Sequence, residues 1–250
     1  RNIPTLIQEQ NVIAGITNKI LSRFVDVVAV GYNEAAKSFD KAKQVVYTGN
    51  PVRPDVLVDS RVEGRKHFGL SDDIFTVLIA GGSRGARTIN NAMIDVHKHF
   101  QGKDGIKLIH ITGNGEYTSV LEKLGINDGS GLGESSLILP YLHDMPKALA
   151  ATDLAVFRSG AIGLAELAVR GIPSVLVPYP YAAEDHQTYN ARIFVQEGAA
   201  HMIVDKVLTS HDLIGEIEMF MANRELLAQM GASALHLGKP NAAHDIAELA

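Results

Sequence analysis

Short apolar runs alternate with amphipathic stretches along the whole chain. Bounded by turn residues, the runs predict strands near residues 4–7, 26–30, 44–47, 74–80, 106–111, 136–139, 153–157, 173–177 and 199–203. Helical patterns lie between most of them. In the stretch 85–100, Ile89, Ala92, Met93, Val96 and Phe100 fall at spacings of three and four, which makes an amphipathic helix covering a sheet. Further helical patterns occupy 14–24 and 210–237, followed by a break at 238–240 and a last helix to Ala250. Strand and helix alternate throughout, so the expected class is α/β with mostly parallel, Rossmann-like sheet.

The strands divide unevenly. Six follow Arg53, enough for a complete doubly wound domain, whereas only two or three precede it. About fifty residues cannot cover both faces of a parallel sheet, so the opening reads as the tail of a larger first domain. The expected organisation is a remnant first domain over 1–52, a complete second domain over 53–238, and a C-terminal helix over 239–250 that packs back toward the first. The segment GNPVRPDV, residues 49–56, carries two prolines that bar helix continuation and reads as a linker.

Composition removes several function classes. The 250 residues carry a net charge of -5 and no long basic run, which argues against nucleic acid as a partner. No cysteine is present, so there is no disulfide and no thiolate nucleophile or ligand. No apolar run reaches the roughly 18 residues of a membrane span, and the chain begins with Arg1 and not Met, so its start is expected to lie upstream. The ten histidines show no spacing of the H-E-x-x-H kind, and no metal site is expected.

Three places can carry chemistry. The segment FTVLIAGGSRGARTINN, from Phe75, runs a buried strand into Gly81, Gly82, Ser83 and Gly85 and then a helix. Such a turn is either a plain tight connection or a phosphate cradle, with amides at the helix start and the Ser83 hydroxyl as donors. It lacks the Gly-Lys-Ser/Thr of a Walker loop and fails the G-x-G-x-x-G dinucleotide pattern. The second place is 153–190, where Glu166 lies in the first turns of a helix after Arg158, Ser159, Gly160 and Ala161. Its carboxylate either complements the helix dipole or accepts two hydrogen bonds from a vicinal diol such as ribose. With the glycine turn in the same sheet, a nucleotide-sugar site is the better reading. The third place is the loop 182–190, where Glu184, Asp185, His186, Gln187 and Asn190 offer donors and acceptors to sugar hydroxyls. As an alternative, Asp185 caps a helix running to Glu197, and His186 could be read as a general base. Near the start, Gln8, Glu9, Gln10 and Asn11 stand at a strand's carboxyl end and face a cleft.

Taken in order, IQEQNVIAGITNK, GNPVRPDV, GGSRGAR, LPYLHDM, RSGAIGLAELAVRGIPSVLVPYP and EDHQTYNA resemble the MurG family. These enzymes transfer N-acetylglucosamine from UDP-N-acetylglucosamine to lipid I, undecaprenyl-diphospho-muramoylpentapeptide, giving lipid II for bacterial peptidoglycan. The resemblance spans nearly the whole chain and implies the GT-B fold, with two Rossmann-like domains facing across a cleft. It implies that Asn11 contacts the donor sugar from the first domain and that Arg53 and Ser83 hold the donor near its diphosphate and uridine. Leu142 would meet the uracil through its backbone. Ala161, Ile162, Gly163, Leu164, Ala165 and Glu166 would wrap sugar and phosphates, with Glu166 on the ribose, and Gln187 would read the hexose hydroxyls. Gly163 departs from the hydroxyl-bearing residue common at that place. The family's GGTGGH motif and its membrane-facing patch are expected upstream of Arg1, together with the general base, and the enzyme is expected at the cytoplasmic face of the membrane. No cofactor is implied. Two alternatives share the pattern: another UDP-sugar-dependent GT-B glycolipid glycosyltransferase, and a non-catalytic nucleotide-sugar-binding module.

Overall fold

The computed structural model describes residues 3–82 and 85–250. Strands β1 (Leu6–Glu9), β2 (Val27–Val30) and β3 (Val45–Tyr47) form a three-stranded sheet in that order, all parallel. Strands β4 (Phe75–Ala80), β5 (Ile106–Ile111), β6 (Ser136–Leu139), β7 (Leu154–Phe157), β8 (Ser174–Leu176) and β9 (Ala200–Met202) form a six-stranded parallel sheet. Its order is β6-β5-β4-β7-β8-β9. All nine expected strands are present, with bounds shifted by at most a few residues.

The differences have local causes. β1 starts two residues later than expected: Pro4 has no N–H to give, the Thr5 amide donates to the Asp26 carboxylate, and the ladder runs on through Gln8 and Glu9 to Ala29 and Val30. The first helix, α1 (Ile16–Leu21), is shorter than the 14–24 pattern, and the Ser22 hydroxyl donates to the Lys19 carbonyl at its end. The 49–56 segment is only partly a linker. Pro54 opens a short helix, α2 (Pro54–Val58), where its missing N–H costs nothing. A further helix, α3 (Arg61–His67), follows, closed by a reciprocal Ser60–Glu63 capping box.

The remaining helices are α4 (Arg87–Phe100), α5 (Tyr117–Leu124), α6 (Met145–Ala151), α7 (Ala161–Arg170), α8 (His186–Gln196), α9 (Ser210–Ala222), α10 (Arg224–Leu237) and α11 (Ala242–Glu248). Asn223 separates α9 from α10, and its side chain accepts from the Leu226 amide to start the second helix.

Every residue of β4 is buried, as a central parallel strand covered on both faces requires. Leu78 and Ala80 join Ile109, Ala155, Leu176 and the helices α6, α7 and α8 on one face. Phe75, Val77 and Ile79 pack with Met93 and Phe100 of α4 and with Leu213 and Phe220 of α9 on the other. The first sheet has its own small core around Val28, Val30, Ala35 and Phe39.

Asn190 joins the two sheets. It is fully buried: Oδ1 accepts from the Val12 amide at 3.0 Å, while Nδ2 donates to Asn11 Oδ1 and to the Ser159 carbonyl. At the far end of the chain, the Lys239 ammonium stands 4.9 Å from the Tyr47 ring centroid.

A buried polar chain crosses from β6 through α4 to the end of β5. Asn90 Nδ2 donates to the Thr112 carbonyl at 2.9 Å, so Asn90 Oδ1 faces His110 Nε2, which must carry the proton. His110 Nδ1 then accepts from His97 Nε2 at 3.0 Å, and His97 Nδ1 accepts from the Ser136 hydroxyl. The bonds to Asn90 and His97 require a neutral His110 ring, and burial keeps His97 neutral as well, so that Ser136 is the donor to it. Burial lowers the pKa of His97 to about 3 and pushes that of His110 well below the ordinary range.

An unfolded histidine titrates near 6.5, so the unfolded chain binds more protons than the native one between that value and about 3. The stabilisation is complete above pH 6.5 and is lost as pH falls. For His97 alone the loss between pH 6.5 and 5 is about 2 kcal/mol. Urea unfolding at pH 7 and pH 5 should show a drop of at least that size, and His97→Phe, though less stable at pH 7, should show a smaller one.

Candidate functional site

In an open parallel sheet every strand delivers its carboxyl end to the same edge, and ligands bind where the strand order reverses. Here that point lies between β4 and β7. A cleft of about 940 Å³ opens there, lined by the glycine turn after β4, Arg158 and Gly160 after β7, Gly163 and Glu166 of α7, Tyr179 to Tyr181 after β8, Gln187 and Asp205. A smaller cavity of about 210 Å³ adjoins it, lined by Arg53, Gly82, Gly113, Tyr141, Leu142, Met145 and Glu166. Gly82 and Glu166 border both.

The glycine turn is shaped by close approach. A Cβ on Gly81 would sit 2.3 Å from the Ala86 Cβ. Gly85 has φ +77°, and a Cβ there would fall 2.0 Å from the Thr112 carbonyl oxygen. That is the same carbonyl that ends the histidine chain, so the buried network fixes the surface against which the turn packs. Ser83 lies outside the described residues. Among the described residues no side chain caps α4 or α7, whose N-cap residues are Ala86 and Gly160, so their first amides can meet an anion from the cleft.

Glu166 is the sixth residue of α7, one turn deeper than a dipole-complementing acid would sit, and is only 7% exposed. Its Oε1 accepts from Arg53 Nε at 2.9 Å. The Arg53 side chain is half exposed, so the pair adds little to fold stability. It holds the guanidinium at the mouth of the smaller cavity, and among the described residues neither its terminal nitrogens nor Glu166 Oε2 has a hydrogen-bond partner.

The rest of the 161–166 segment faces several ways. Gly163 lines the cleft, and Ala161 and Ile162 stand at the uncapped helix start. Leu164 is fully buried in the core, and Ala165 lines a separate cavity shared with Gly31, Tyr32 and Lys239. Leu142 packs its side chain against the core while bordering the smaller cavity. Gln187 accepts from the Tyr179 amide through Oε1 at 3.0 Å, so its amide nitrogen is what it offers to the cleft. Asn11 donates its backbone amide to Glu9 and accepts from Asn190, and it lines neither cavity.

In the 182–190 loop, Asn190 is fully buried and hydrogen-bonded, and so is a structural tie with no donor left for a sugar. Asp185 precedes α8 at φ 56°, and its carboxylate accepts from the Thr188 hydroxyl and not from a helix amide. His186 Nδ1 donates to the Ala183 carbonyl at 2.8 Å, and the residue stands outside the cleft lining.

Local reading of the sequence missed a second set of residues. Arg158 pairs with Asp205, donates to the Val177 and Pro178 carbonyls, and lies 5.6 Å from the Tyr179 ring centroid. Asp205 accepts in turn from the Thr88 hydroxyl at 3.0 Å. This cluster binds the loops after β7, β8 and β9 to the start of α4. Arg158 sits inside a segment already singled out, but nothing near it in sequence points to Asp205.

The profile of the glycosyltransferase family 28 C-terminal domain matches residues 76–249. A relative from Desulforamulus reducens, "UDP-N-acetylglucosamine--N-acetylmuramyl-(pentapeptide) pyrophosphoryl-undecaprenol N-acetylglucosamine transferase", is 43% identical over 98% of this chain and 66% of its own length. A relative of the same name from Desulfitobacterium hafniense is 44% identical over 99% of this chain and 67% of its own. The crystal structure of Acinetobacter baumannii MurG is 30% identical and superposes with a TM-score of 0.75, covering 99% of this chain and 67% of that one. The chain thus spans about two thirds of the length of these relatives. Its fold is the α/β, parallel-sheet fold of GT-B glycosyltransferases, and the chain belongs to the MurG family of glycosyltransferases, carrying that family's C-terminal domain.

Proposed function

We propose that this chain is the donor-binding part of an inverting N-acetylglucosaminyltransferase that uses UDP-N-acetylglucosamine and glycosylates the C4 hydroxyl of the muramoyl sugar of lipid I. The observation that carries this reading is the pair formed by Arg53 and the buried Glu166 between two adjoining cavities at the strand-order switch. It sets a cation and a carboxylate side by side, with one carboxylate oxygen unpartnered among the described residues, as a diphosphate next to a ribose diol requires. The names and coverage of the relatives support the choice of sugar and acceptor.

In this reading the uracil enters the smaller cavity beside Leu142, and Glu166 accepts from the ribose hydroxyls. The diphosphate lies over the glycine turn, with Ser83 and Arg53 as donors and the free amides of Ala161, Ile162 and Gly163 beneath it. Gln187 donates to the hexose, and Asn11 approaches from the first sheet on closure. As the acceptor hydroxyl attacks the anomeric carbon and the C–O bond to UDP breaks, negative charge grows on the departing β-phosphate. Preorganised amides and the Arg53 guanidinium stabilise that charge without having to reorganise. Residues 1–52 belong to the acceptor-side module, 53–238 form the donor module and 239–250 return to the first. Among the described residues no helix is long and apolar enough to cross a membrane; we place the enzyme at the cytoplasmic face as a peripheral protein that meets lipid I there.

Glu166→Ala removes hydrogen bonds to a charged group worth about 1.5 to 3 kcal/mol, so UDP-N-acetylglucosamine should bind roughly ten- to hundredfold more weakly. Thermal stability should change little. Calorimetric titration showing unaltered donor affinity would remove Glu166 from the ribose. Arg53→Ala should weaken UDP far more than free N-acetylglucosamine, and equal losses would place Arg53 away from the diphosphate.

Gly163 offers a gain-of-affinity test. A Cβ there meets only Phe157 Cδ2, at 3.8 Å, an ordinary contact. Gly163→Ser should therefore fold normally and supply the missing hydroxyl, tightening donor binding by about 1 kcal/mol, roughly fivefold. Unchanged or weaker binding by the folded variant would show that the position faces no donor oxygen.

A further inference from the structure

Across the glycine turn from Arg53 stands a second arginine of similar design. Arg87 is the first residue of α4, and Glu116, at the start of α5, holds it: Arg87 Nε and NH2 lie 3.1 and 2.9 Å from Glu116 Oε1. The Arg87 side chain is 78% exposed and that of Glu116 only 18%, so the carboxylate is set into the wall and the guanidinium projects over the mouth. Both line the large cleft together with Gly81, Gly82 and Gly85. A pair this open to solvent contributes little to stability. What it does is keep a planar, five-donor cation beside the turn and beside the uncapped first amides of α4. With Arg53 held by Glu166 on the other side, the glycine turn lies between two arginines, each held in place by its own glutamate.

We infer that Arg87 is a second diphosphate-binding residue of this cleft and that Glu116 is its competitor, gripping the guanidinium while the cleft is empty and yielding it to the incoming diphosphate. The inference rests on the nucleotide-sugar reading given above. Its chemistry is an exchange of one bidentate partner for another: a carboxylate gives way to a phosphate that carries more charge and more acceptor oxygens. Glu116 opposes binding twice, because it must release Arg87 and because its own charge then lies near the diphosphate. The same opposition helps free UDP to leave after transfer, since the terminal phosphate has by then gained the charge of the broken bond. Arg87 is thus a binding residue and Glu116 a positioning residue that acts through it.

The two roles predict opposite signs, which a merely structural pair would not. Calorimetric titrations of the chain with UDP and with uridine test them. Arg87→Met should weaken UDP by about tenfold, the loss expected for one charge-assisted contact, and leave uridine unchanged. Glu116→Gln should tighten UDP by about three- to tenfold, again without effect on uridine. In the double variant the gain from Glu116→Gln should shrink to what removing the Glu116 charge contributes by itself, because no arginine remains to be released. Should Arg87→Met fail to fold, Arg87→Lys keeps the charge without the fork and should retain only part of the UDP affinity. A folded Glu116→Gln protein that binds UDP no tighter than the parent, or an Arg87 variant that loses uridine and UDP equally, would overturn the inference. If the parent chain binds no UDP at all, the nucleotide-sugar reading fails and this inference with it. If the parent binds UDP and Glu166→Ala weakens it while Arg87→Met does not, the inference alone falls.

Discussion

The parallel direction of the six strands is the constraint from which the site follows. Parallel strands cannot be joined by hairpins, so each carboxyl end must leave through a loop into a covering helix, and all of those loops emerge at one edge. The reversal of order between β4 and β7 parts the loops there and leaves a cleft that no side chain of the core fills. A glycine turn, the uncapped ends of α4 and α7, and side chains from six different loops are brought together by topology alone. Their separation in sequence is large: Arg53 and Glu166 are 113 residues apart, and Arg158 and Asp205 are 47.

Loops gathered in this way still need to be held in register, and two polar networks do so from below. The chain from Ser136 through His97, His110 and Asn90 to the Thr112 carbonyl has a single direction, fixed by the Asn90 amide. Every member is satisfied, which is the condition under which a buried network rigidifies its surroundings instead of weakening them. It ends where Gly85 packs. The second network runs from Arg158 through Asp205 to Thr88 and reaches the opposite flank of the same turn. Between them the two networks tie the start of α4 to its neighbouring loops, and the second also lines the cleft through Arg158 and Asp205.

Sequence patterning carried the fold further than it carried the site. Nine strands were legible because a parallel core strand is a short apolar run and nothing else in the chain looks like one. β4, with all six residues buried, is the plainest case. Errors came where a local rule had two outcomes. Proline at 54 was read as a break and serves as a helix start, since a first-turn residue needs no N–H. Asn190 was read as a sugar contact and is a buried tie between sheets, because its partners, Val12 and Asn11, lie almost the full length of the chain away. His97 and His110 carried no signal at all: a histidine on a helix face or in a strand reads as surface until its neighbours are known. The helix position of Glu166 and the polar loop around Gln187 marked both as candidates, and motif order added a proposed ligand group to each without stating any geometry.

The geometry adds a point about how such a cleft selects its ligand. The chain is acidic overall, and among the described residues Arg53 and Arg87 each have a glutamate against them while Arg158 has Asp205, so much of the positive charge of the cleft lining is already countered. An anion gains only if it can engage the guanidinium edges those glutamates leave open while also reaching the helix amides. A lone phosphate can satisfy part of this arrangement, and a diphosphate bearing a diol on one side and a hexose on the other can satisfy all of it. On the proposed reading Gln187 stands at the hexose end. The Tyr179 amide fixes the Gln187 carbonyl oxygen and so orients its NH2 group, which favours a sugar position that presents an acceptor lone pair toward it. Discrimination of this kind comes from leaving polar groups unpaired in the wrong complex, which costs more than a missing apolar contact does. On the proposed reading, oriented donors in such a cleft favour a doubly anchored nucleotide sugar over smaller anions.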